Sequence, residues 1–347
     1  MNIGRQVRLD LMNYQLILKR LIIVSTCFSL LVIALGAYTR LVHAGLGCPD
    51  WPLCYGHAWA PSSANEISQA NFKFPDIPVN LTKTWPEMTH RYLASSLGLL
   101  CIFIVALGWT IKRCGQAFPI KHSIFLLAFI ILQGLFGMWT VTLKLWPQVV
   151  TLHLLGGFTT FCLLLLLYLR GFGSFTLSIG VKKSLRIGAM AALVCAFIQV
   201  ALGGWITSNY AALACTQLPW CSVSEISSND IYTGFNFLQE IGPNYLGGQL
   251  DGGARVAIHL AHRLGAVGVI VSVVVLLTLL LKYRIYNAAL LIGVVTIVQI
   301  SLGVFNVYFH LPLYNAVAHN LVGALLLGTL VWVNWLVRRG MDEEKKV

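Results

Sequence analysis

The sequence predicts an all-α integral membrane protein with eight transmembrane helices, arranged as two tandem four-helix bundles. Three observations lead to this fold class: an apolar composition, eight apolar windows of spanning length, and an internal repeat. The chain of 347 residues is 57% hydrophobic and only 10% charged. These values lie outside the range of soluble globular proteins and inside the membrane class.

Eight windows are long enough to cross a bilayer as helices, which takes roughly 20 apolar residues. The first window is too long for a signal peptide and has no small-residue cleavage pattern, so we predict a retained helix. The windows run at 21–42, 90–111, 122–143, 148–170, 185–207, 256–281, 287–309 and 315–337.

The distribution of charge gives an orientation. With eight spans, both termini and the loops after the second, fourth and sixth spans share one side, and most of the 24 Lys and Arg residues lie there. By the positive-inside rule that side is cytoplasmic. Most of the 12 acidic residues lie on the other side. The net charge of +12 is therefore explained by topology, and no nucleic-acid partner is expected.

Shifting the sequence by about 167 residues brings its two halves into register. ALGAYTRLVHAGLGCPDWPLC at 34–54 meets ALGGWITSNYAALACTQLPWC at 201–221, and EMTHRYLASSLG meets HLAHRLGAVG. Four helices per half give the repeats parallel topology, related by an axis along the membrane normal. The predicted domains are a cytoplasmic segment at 1–20, a first half at 21–170 with an outer loop at 43–89, a cytoplasmic linker at 171–184, a second half at 185–337 with an outer loop at 208–255, and a cytoplasmic tail at 338–347.

Each outer loop contains two cysteines six residues apart, Cys48 and Cys54 in the first and Cys215 and Cys221 in the second. Disulfides persist in the periplasm, and a turn can close this separation. Four free thiols are the alternative, and a zinc site is disfavoured by the spacing and by the lack of an accompanying His pair. The loops show no convincing helix or strand period, but the paired cysteines predict partial order.

Four histidines recur at equivalent positions near the outer ends of the second, fourth, sixth and eighth spans: His90, His153, His262 and His319. Ionisable groups at such positions are functional candidates. Two facing imidazoles in a four-helix bundle can hold a haem iron from both sides, whereas two histidines do not fill a tetrahedral copper or zinc shell. The alternative is a satisfied polar residue at each helix end, which four copies in register disfavour.

Glu87 distinguishes the two halves. It precedes His90 by three residues, one helical turn away on the same face, and His259 stands at the equivalent position of the second half. This asymmetry predicts a catalytic site in the first half and an electron-handling cofactor site in the second. The alternative is that Glu87 caps its helix. Arg91 and Arg263 are candidate partners for haem propionates, for protein acids or for the membrane interface.

The segments GCPDWPLCYG, EMTHR, HLLGG, AHRLGA and the final AHN together resemble the haem A synthase family, from about Leu21 to Arg339. The resemblance implies that the protein oxidises a porphyrin methyl group of haem O to a formyl group by successive hydroxylations. The product, haem A, would serve terminal cytochrome oxidases. The implied location is the bacterial inner (cytoplasmic) membrane, with both termini cytoplasmic and the haem sites near the outer face.

The resemblance also implies residue roles. His262 and His319 would ligate a resident haem b, His90 and His153 would mark the site of the substrate haem, and Glu87 would be required for the later oxidation chemistry. Family members with a cysteine pair in both halves lead us to expect the disulfides Cys48–Cys54 and Cys215–Cys221.

Candidate partners are haem O as substrate, haem O synthase and cytochrome oxidase assembly factors, with an unidentified electron acceptor and a homo-oligomer as one candidate assembly. Two competing functions are a b-type cytochrome that only transfers electrons and a haem transporter or chaperone. The first gives Glu87 and the cysteine-bearing loops no role. The second would be expected to carry a tryptophan-rich outer loop, whereas the outer tryptophans are scattered.

Overall fold

The computed structural model describes residues 2–174, 183–221 and 226–344, and these ranges form helices and connecting loops without a β-strand. Eight of the helices are long and apolar enough to cross a membrane. The all-α class and the predicted number of spans are therefore confirmed. The candidate spans are Leu11–Leu41, Leu81–Arg113, Ile120–Thr142, Pro147–Phe172, Lys183–Ser208, Gly252–Lys282, Tyr286–Tyr308 and Leu313–Gly340.

Two short helices lie between the spans, one in each long loop. In chain order, the helices of the described residues are α1 (Asn2–Leu41), α2 (Ala64–Lys73), α3 (Leu81–Arg113), α4 (Ile120–Thr142), α5 (Pro147–Phe172), α6 (Lys183–Ser208), α7 (Ser228–Gly234), α8 (Gly252–Lys282), α9 (Tyr286–Tyr308) and α10 (Leu313–Glu344).

The long helices pack in two groups of four. In the first group α1 and α4 each contact both α3 and α5, and in the second α6 and α9 each contact both α8 and α10. Buried aliphatic side chains fill each group, among them Ile104 and Leu164 in the first and Leu276 and Leu330 in the second. The groups meet where α5 lies against α6 and α10 and where α1 lies against α10. Each group thus contains two of the four histidine-bearing helices.

Helices α1 and α6 end in the same way. His43 follows α1 and Tyr210 follows α6, both in the left-handed region with φ of 55°. The next backbone N–H bonds to the carbonyl five residues earlier, at 2.9 Å after α1 and 3.0 Å after α6. This is a helix-terminating arrangement that satisfies otherwise orphaned carbonyls. It brings the ends of the first spans of the two halves to matching positions.

The expectation that the outer loops contain no helix is wrong. Helix α2 begins with a capping box in which the Ser63 hydroxyl accepts from the Glu66 backbone N–H and the Glu66 carboxylate accepts from the Ser63 N–H. Helix α7 begins with the same arrangement between Ser227 and Asp230. Two N–H groups are satisfied locally at each start, so a short polar segment can be helical without an apolar period.

Several boundaries also differ from the predicted ones. Helix α1 begins at Asn2 rather than 21, and α3 begins at Leu81, nine residues before the predicted start. The tail that we expected to begin at 338 continues α10 to Glu344, and residues 345–347 lie outside the described residues. Of the linker expected at 171–184, residues 175–182 lie outside the described residues as well.

Candidate functional site

The four predicted histidines lie near the N-terminal ends of two helices in each group. His90 and His153 lie on α3 and α5, and His262 and His319 lie on α8 and α10. His90 and His262 are in the third turns of their helices, slightly deeper than expected, because both helices begin earlier than the sequence predicted. The structure therefore brings the histidines together in two pairs, one pair in each group of helices.

A glycine on a neighbouring helix faces each imidazole. A Cβ atom placed on Gly36 would lie 2.8 Å from the Cε1 atom of His90, and one on Gly203 would lie 3.3 Å from that of His262. The corresponding distances are 3.4 Å from Gly137 to His153 and 3.0 Å from Gly303 to His319. In each case the ring packs where a side chain would otherwise begin. These glycines are not among the residues predicted from the sequence, although the repeat shift aligns Gly36 with Gly203 and Gly137 with Gly303.

The geometry of the first pair fits a metal held between two imidazoles. The ring centroids of His90 and His153 are 6.4 Å apart and their planes are nearly perpendicular, at 89°. Rings that bind one metal ion from opposite sides at about 2 Å per metal–nitrogen bond have centroids roughly 6 Å apart. The Nδ1 atoms of both rings are buried and have no hydrogen-bond partner in the structure. These unpartnered ring nitrogens fit a pair of imidazoles that would hold a haem iron.

Two glutamine side-chain amides lie beside the histidines of the second pair. The Gln199 Nε2 atom lies 3.2 Å from each ring nitrogen of His262 and 2.9 Å from its backbone carbonyl. The Gln299 Nε2 atom lies 3.3 Å from the Nε2 atom of His319, whose Nδ1 atom is buried without a partner. The repeat shift places Val32 opposite Gln199, so the first half lacks one of these amides. The two sites therefore share ligands but differ in polarity.

Within the described residues, no group of three or more His, Cys, Asp and Glu side chains could hold a metal ion. A site of the zinc or copper type with three or four protein ligands is therefore not formed there. Two facing imidazoles remain suitable for haem, whose porphyrin supplies the other four ligands.

Glu87 is buried and both of its carboxylate oxygens accept hydrogen bonds. Oε1 accepts from the Nη2 atom of Arg91 at 2.5 Å, and Oε2 accepts from the backbone N–H of Cys48 at 2.9 Å. The Arg91 cation offsets the cost of burying a charged carboxylate. Each carboxylate oxygen can accept more than one bond, so Glu87 can still interact with a ligand. Glu87 does not cap its helix, because the N-cap residue of α3 is Asn80.

Arg91 and Arg263 clamp the two cysteine-bearing loops. The Nη1 atom of Arg91 donates to the carbonyls of Asp50, Pro52 and Leu53. In the second half Arg263 makes the corresponding contacts, to the carbonyls of Gln217 and Pro219 through Nη1 and of Cys215 through Nη2. These donors are thus committed to loop carbonyls, and the role of both arginines as propionate partners stays a prediction.

Both expected cysteine pairs are joined as disulfides. The Cα atoms of Cys48 and Cys54 are 4.8 Å apart, and those of Cys215 and Cys221 are 5.7 Å apart. Because Glu87 accepts from the backbone of Cys48, the first disulfide loop is part of the setting of the carboxylate.

His259 occupies the position equivalent to Glu87 but has a different role. It is buried, and its Nδ1 atom lies 3.0 Å from the carbonyl of Ala211 at the end of α6. The second half therefore has an imidazole held by a backbone carbonyl where the first half has a carboxylate.

Comparisons with known proteins agree with this arrangement of helices. Residues 19–331 match the profile of the COX15-CtaA family, described as cytochrome oxidase assembly protein. A protein of Shewanella oneidensis named heme A synthase is 45% identical over 324 residues, covering 90% of this chain and 94% of that protein. Heme A synthases of Bacillus licheniformis and Caulobacter vibrioides are 24% and 25% identical over 340 residues each, covering 95% and 92% of this chain and 99% and 94% of those proteins. The chain belongs to the COX15-CtaA family of cytochrome oxidase assembly proteins.

Proposed function

We propose that this protein is a haem A synthase that oxidises a methyl group of haem O to a formyl group. The observation that carries the proposal is the relative named heme A synthase, which is 45% identical along 90% of the chain. The structure supports it with two histidine pairs, of which only the first has a buried carboxylate one turn away. The setting is the assembly of cytochrome oxidase.

We assign the substrate haem to the first half and a resident haem b to the second. His90 and His153 would hold haem O, and their centroid separation of 6.4 Å suits one iron between them. His262 and His319 would hold haem b in a setting that contains one amide more than the first site, that of Gln199. A bound haem b supplies a one-electron relay. The division follows from Glu87, which has no carboxylate equivalent in the second half.

The conversion of a methyl to a formyl group adds one oxygen atom. If that oxygen is counted as coming from water, four electrons and four protons are released. An external electron acceptor must take the four electrons. Glu87 would accept protons or stabilise positive charge that develops beside His90. Arg91 and the Cys48 N–H fix the orientation of its carboxylate, so it would not have to reorganise during the reaction.

We extend the proposal to topology and location. The two groups of four helices are tandem repeats related by a pseudo-two-fold axis along the membrane normal, covering 21–170 and 185–337. The protein spans the bacterial inner membrane with cytoplasmic termini, so the disulfide loops and both haem sites face the oxidising outer side. Haem O synthase and oxidase assembly factors are the partners that this placement would require.

Pigment analysis tests the function. The protein would be co-produced with a haem O synthase in a bacterial host that lacks haem A, purified, and its extracted haems separated by chromatography and mass. We expect haem A or its hydroxylated precursor together with haem b. Haem b alone, with unmodified haem O in the membranes, would instead indicate an electron-transfer protein or a haem transporter.

A further inference from the structure

A partly buried cationic cluster lies where the two halves meet, at the C-terminal ends of α1 and α6. The Nη2 atom of Arg40 donates to the carbonyl of Thr207 at 2.6 Å and approaches that of Ser208 at 3.5 Å. The guanidinium also lies over the ring of Tyr210, 3.9 Å from its centroid. His43 stacks on the same ring at 5.5 Å, with an interplanar angle of 3°. Arg40 of the first half is therefore held almost entirely by groups of the second half.

The charge of Arg40 is not neutralised by the protein. Arg40 has no acidic partner among the residues that the structure describes, and its Nε atom is buried without a hydrogen-bond acceptor. The hydroxyl of Tyr210 is likewise buried, and the Arg40 guanidinium itself is its neighbour. Burial of an uncompensated cation with an unsatisfied donor is costly. An anion with at least two acceptor atoms would remove this cost.

The position of Arg40 relates this cluster to the first haem site. Gly36, which faces the ring of His90, precedes Arg40 by four residues, so both residues lie on one face of α1. One helical turn corresponds to about 5.4 Å of rise, which is within reach of the carboxylate-bearing side chains of a porphyrin. The other two arginines near the histidines, Arg91 and Arg263, have their Nη atoms committed to the disulfide loops.

His43 lies beside Arg40, and an imidazole, neutral or cationic, cannot neutralise a guanidinium. Partial burial, followed by the nearby cations of Arg40 and Lys83, lowers the pKa of His43 below its ordinary value. The lowered pKa favours the uncharged ring, so the positive charge of the cluster is mainly that of Arg40.

We propose that Arg40, together with the hydroxyl of Tyr210, binds a propionate carboxylate of the porphyrin held between His90 and His153. The inference rests on the proposed function only for the identity of that porphyrin as haem O. Arg40 thus positions the substrate ring about its iron and directs one edge of it toward the boundary with the second half. The fork of the guanidinium matches the two oxygens of a carboxylate, a match that lysine does not reproduce.

The test compares haem O with its dimethyl ester, in which both carboxylates are masked. Purified protein that retains haem b is titrated anaerobically with each compound, and binding is followed by the absorption change of the added haem. We expect Arg40→Gln to weaken the binding of free-acid haem O by about ten- to a hundredfold and to leave binding of the ester unchanged. The difference in solubility of the two compounds cancels because each is compared with itself across variants.

Two further variants keep the test sharp if Arg40→Gln folds poorly. Tyr210→Phe retains the ring under Arg40 and removes only the hydroxyl, and we expect a few-fold loss for the free acid alone. Arg255→Gln is the matched control, because Arg255 also donates to loop carbonyls, those of Leu250 and Gly247, and we expect it to change neither titration. The haem b content of each variant reports on folding and on the second site.

Three results would overturn the assignment. Equal weakening of acid and ester by Arg40→Gln would make Arg40 a structural link between the halves, and wild-type binding of the acid by the variant would remove its role altogether. Loss of haem b with an unchanged haem O titration would place the carboxylate in the second site. Since binding is measured without turnover, failure to form haem A in the pigment analysis would reject the proposed function separately.

Discussion

The two halves of the molecule present their histidine pairs on similar helices but surround them with different side chains. Facing glycines accompany the histidines in both halves. Arg91 and Arg263 clamp the two disulfide loops through matching carbonyls. Two of the differences lie beside the histidines. The first half has Glu87 where the second has His259, and the second half has Gln199 where the first has Val32.

This contrast separates what holds a haem from what acts on one. The repeated features, two imidazoles and the glycines that make room for them, are sufficient for ligation. A carboxylate held by Arg91 and the Cys48 N–H is not needed for ligation, and it occurs in one half only. We infer that the second half conserves the binding function and that the first half adds chemistry. Each of the following predictions tests one part of this difference.

Replacing the carboxylate should have the largest effect. Glu87→Gln keeps the size of the side chain and removes its charge and basicity, so we expect haem O oxidation to slow by at least about 100-fold, with haem O binding and haem b content retained. The products are measured by chromatography of extracted haems after reconstitution with haem O. Glu66→Gln is the control, since it changes a carboxylate in the same outer loop away from the histidines. Normal formation of haem A by Glu87→Gln would show that the asymmetry is not catalytic.

Removing one imidazole from each half should affect different haems. We expect His262→Ala to reduce the haem b content of the purified protein about tenfold or more, because one axial ligand is lost. His90→Ala should keep haem b within about twofold and lose haem O binding instead. Haem b is quantified from the absorption of its pyridine complex. His310→Asn is the control, as His310 is exposed and has no repeat equivalent. Loss of haem b in His90→Ala would reverse the assignment of the two sites.

The facing glycines should differ in their tolerance of a methyl group. A Cβ at Gly36 would lie 2.8 Å from the His90 ring, so the ring must move, whereas the 3.3 Å at Gly203 is tight but nearer to ordinary contact. Overpacking of this kind costs about 1–3 kcal/mol. We expect Gly36→Ala to weaken haem O binding roughly tenfold, and Gly203→Ala to change haem b retention by less than about twofold.

Gly98→Ala provides the matched control for the glycine variants. Gly98 lies on the same helix as His90, and a Cβ there would meet no atom within 4 Å. Its substitution should leave both haems unaffected. Equal effects of Gly36→Ala and Gly98→Ala would mean that helix propensity rather than contact with His90 decides the outcome.

Periodicity and repeat alignment predict the spans and the histidine pairs, because both are set by long-range patterns in the chain. The glycines opposite the histidines and the amide of Gln199 are not predicted by such patterns, since they depend on which faces of neighbouring helices meet. Arg40 is a further example. In the sequence it is one arginine at a helix end, and only its lack of an acidic partner among the described residues marks it out.

The short helices of the two long loops were not predicted for a different reason. Helices α2 and α7 are too short and too polar to produce an apolar period, so pattern analysis predicted loops. Their capping boxes were nevertheless visible as Ser63 followed by Glu66 and Ser227 followed by Asp230. Local hydrogen bonds at the N-terminus, rather than burial, are the signal that could have identified them.

Removing the capping box of α2 should have the smallest effect, and that effect should be confined to its loop. Hydrogen bonds from the backbone of Ser63 and then of Ser62 lower the pKa of Glu66 from 4.5 to about 2. A depressed carboxylate pKa stabilises the folded form above the ordinary value, and this contribution is lost as pH falls through about 2. We therefore expect Glu66→Gln to raise amide exchange of 63–73 a few-fold at pH 7, relative to intrinsic rates, with both haem sites unchanged. Asp76→Asn, in the same loop, is the control and should not alter exchange.

The pH dependence gives a second check on wild-type protein, which should keep the protection of α2 at pH 4. Loss of protection already at pH 4 would show that the Glu66 carboxylate does not hold α2. The carboxylate pKa of Asp230, in the matching capping box of α7, is also lowered.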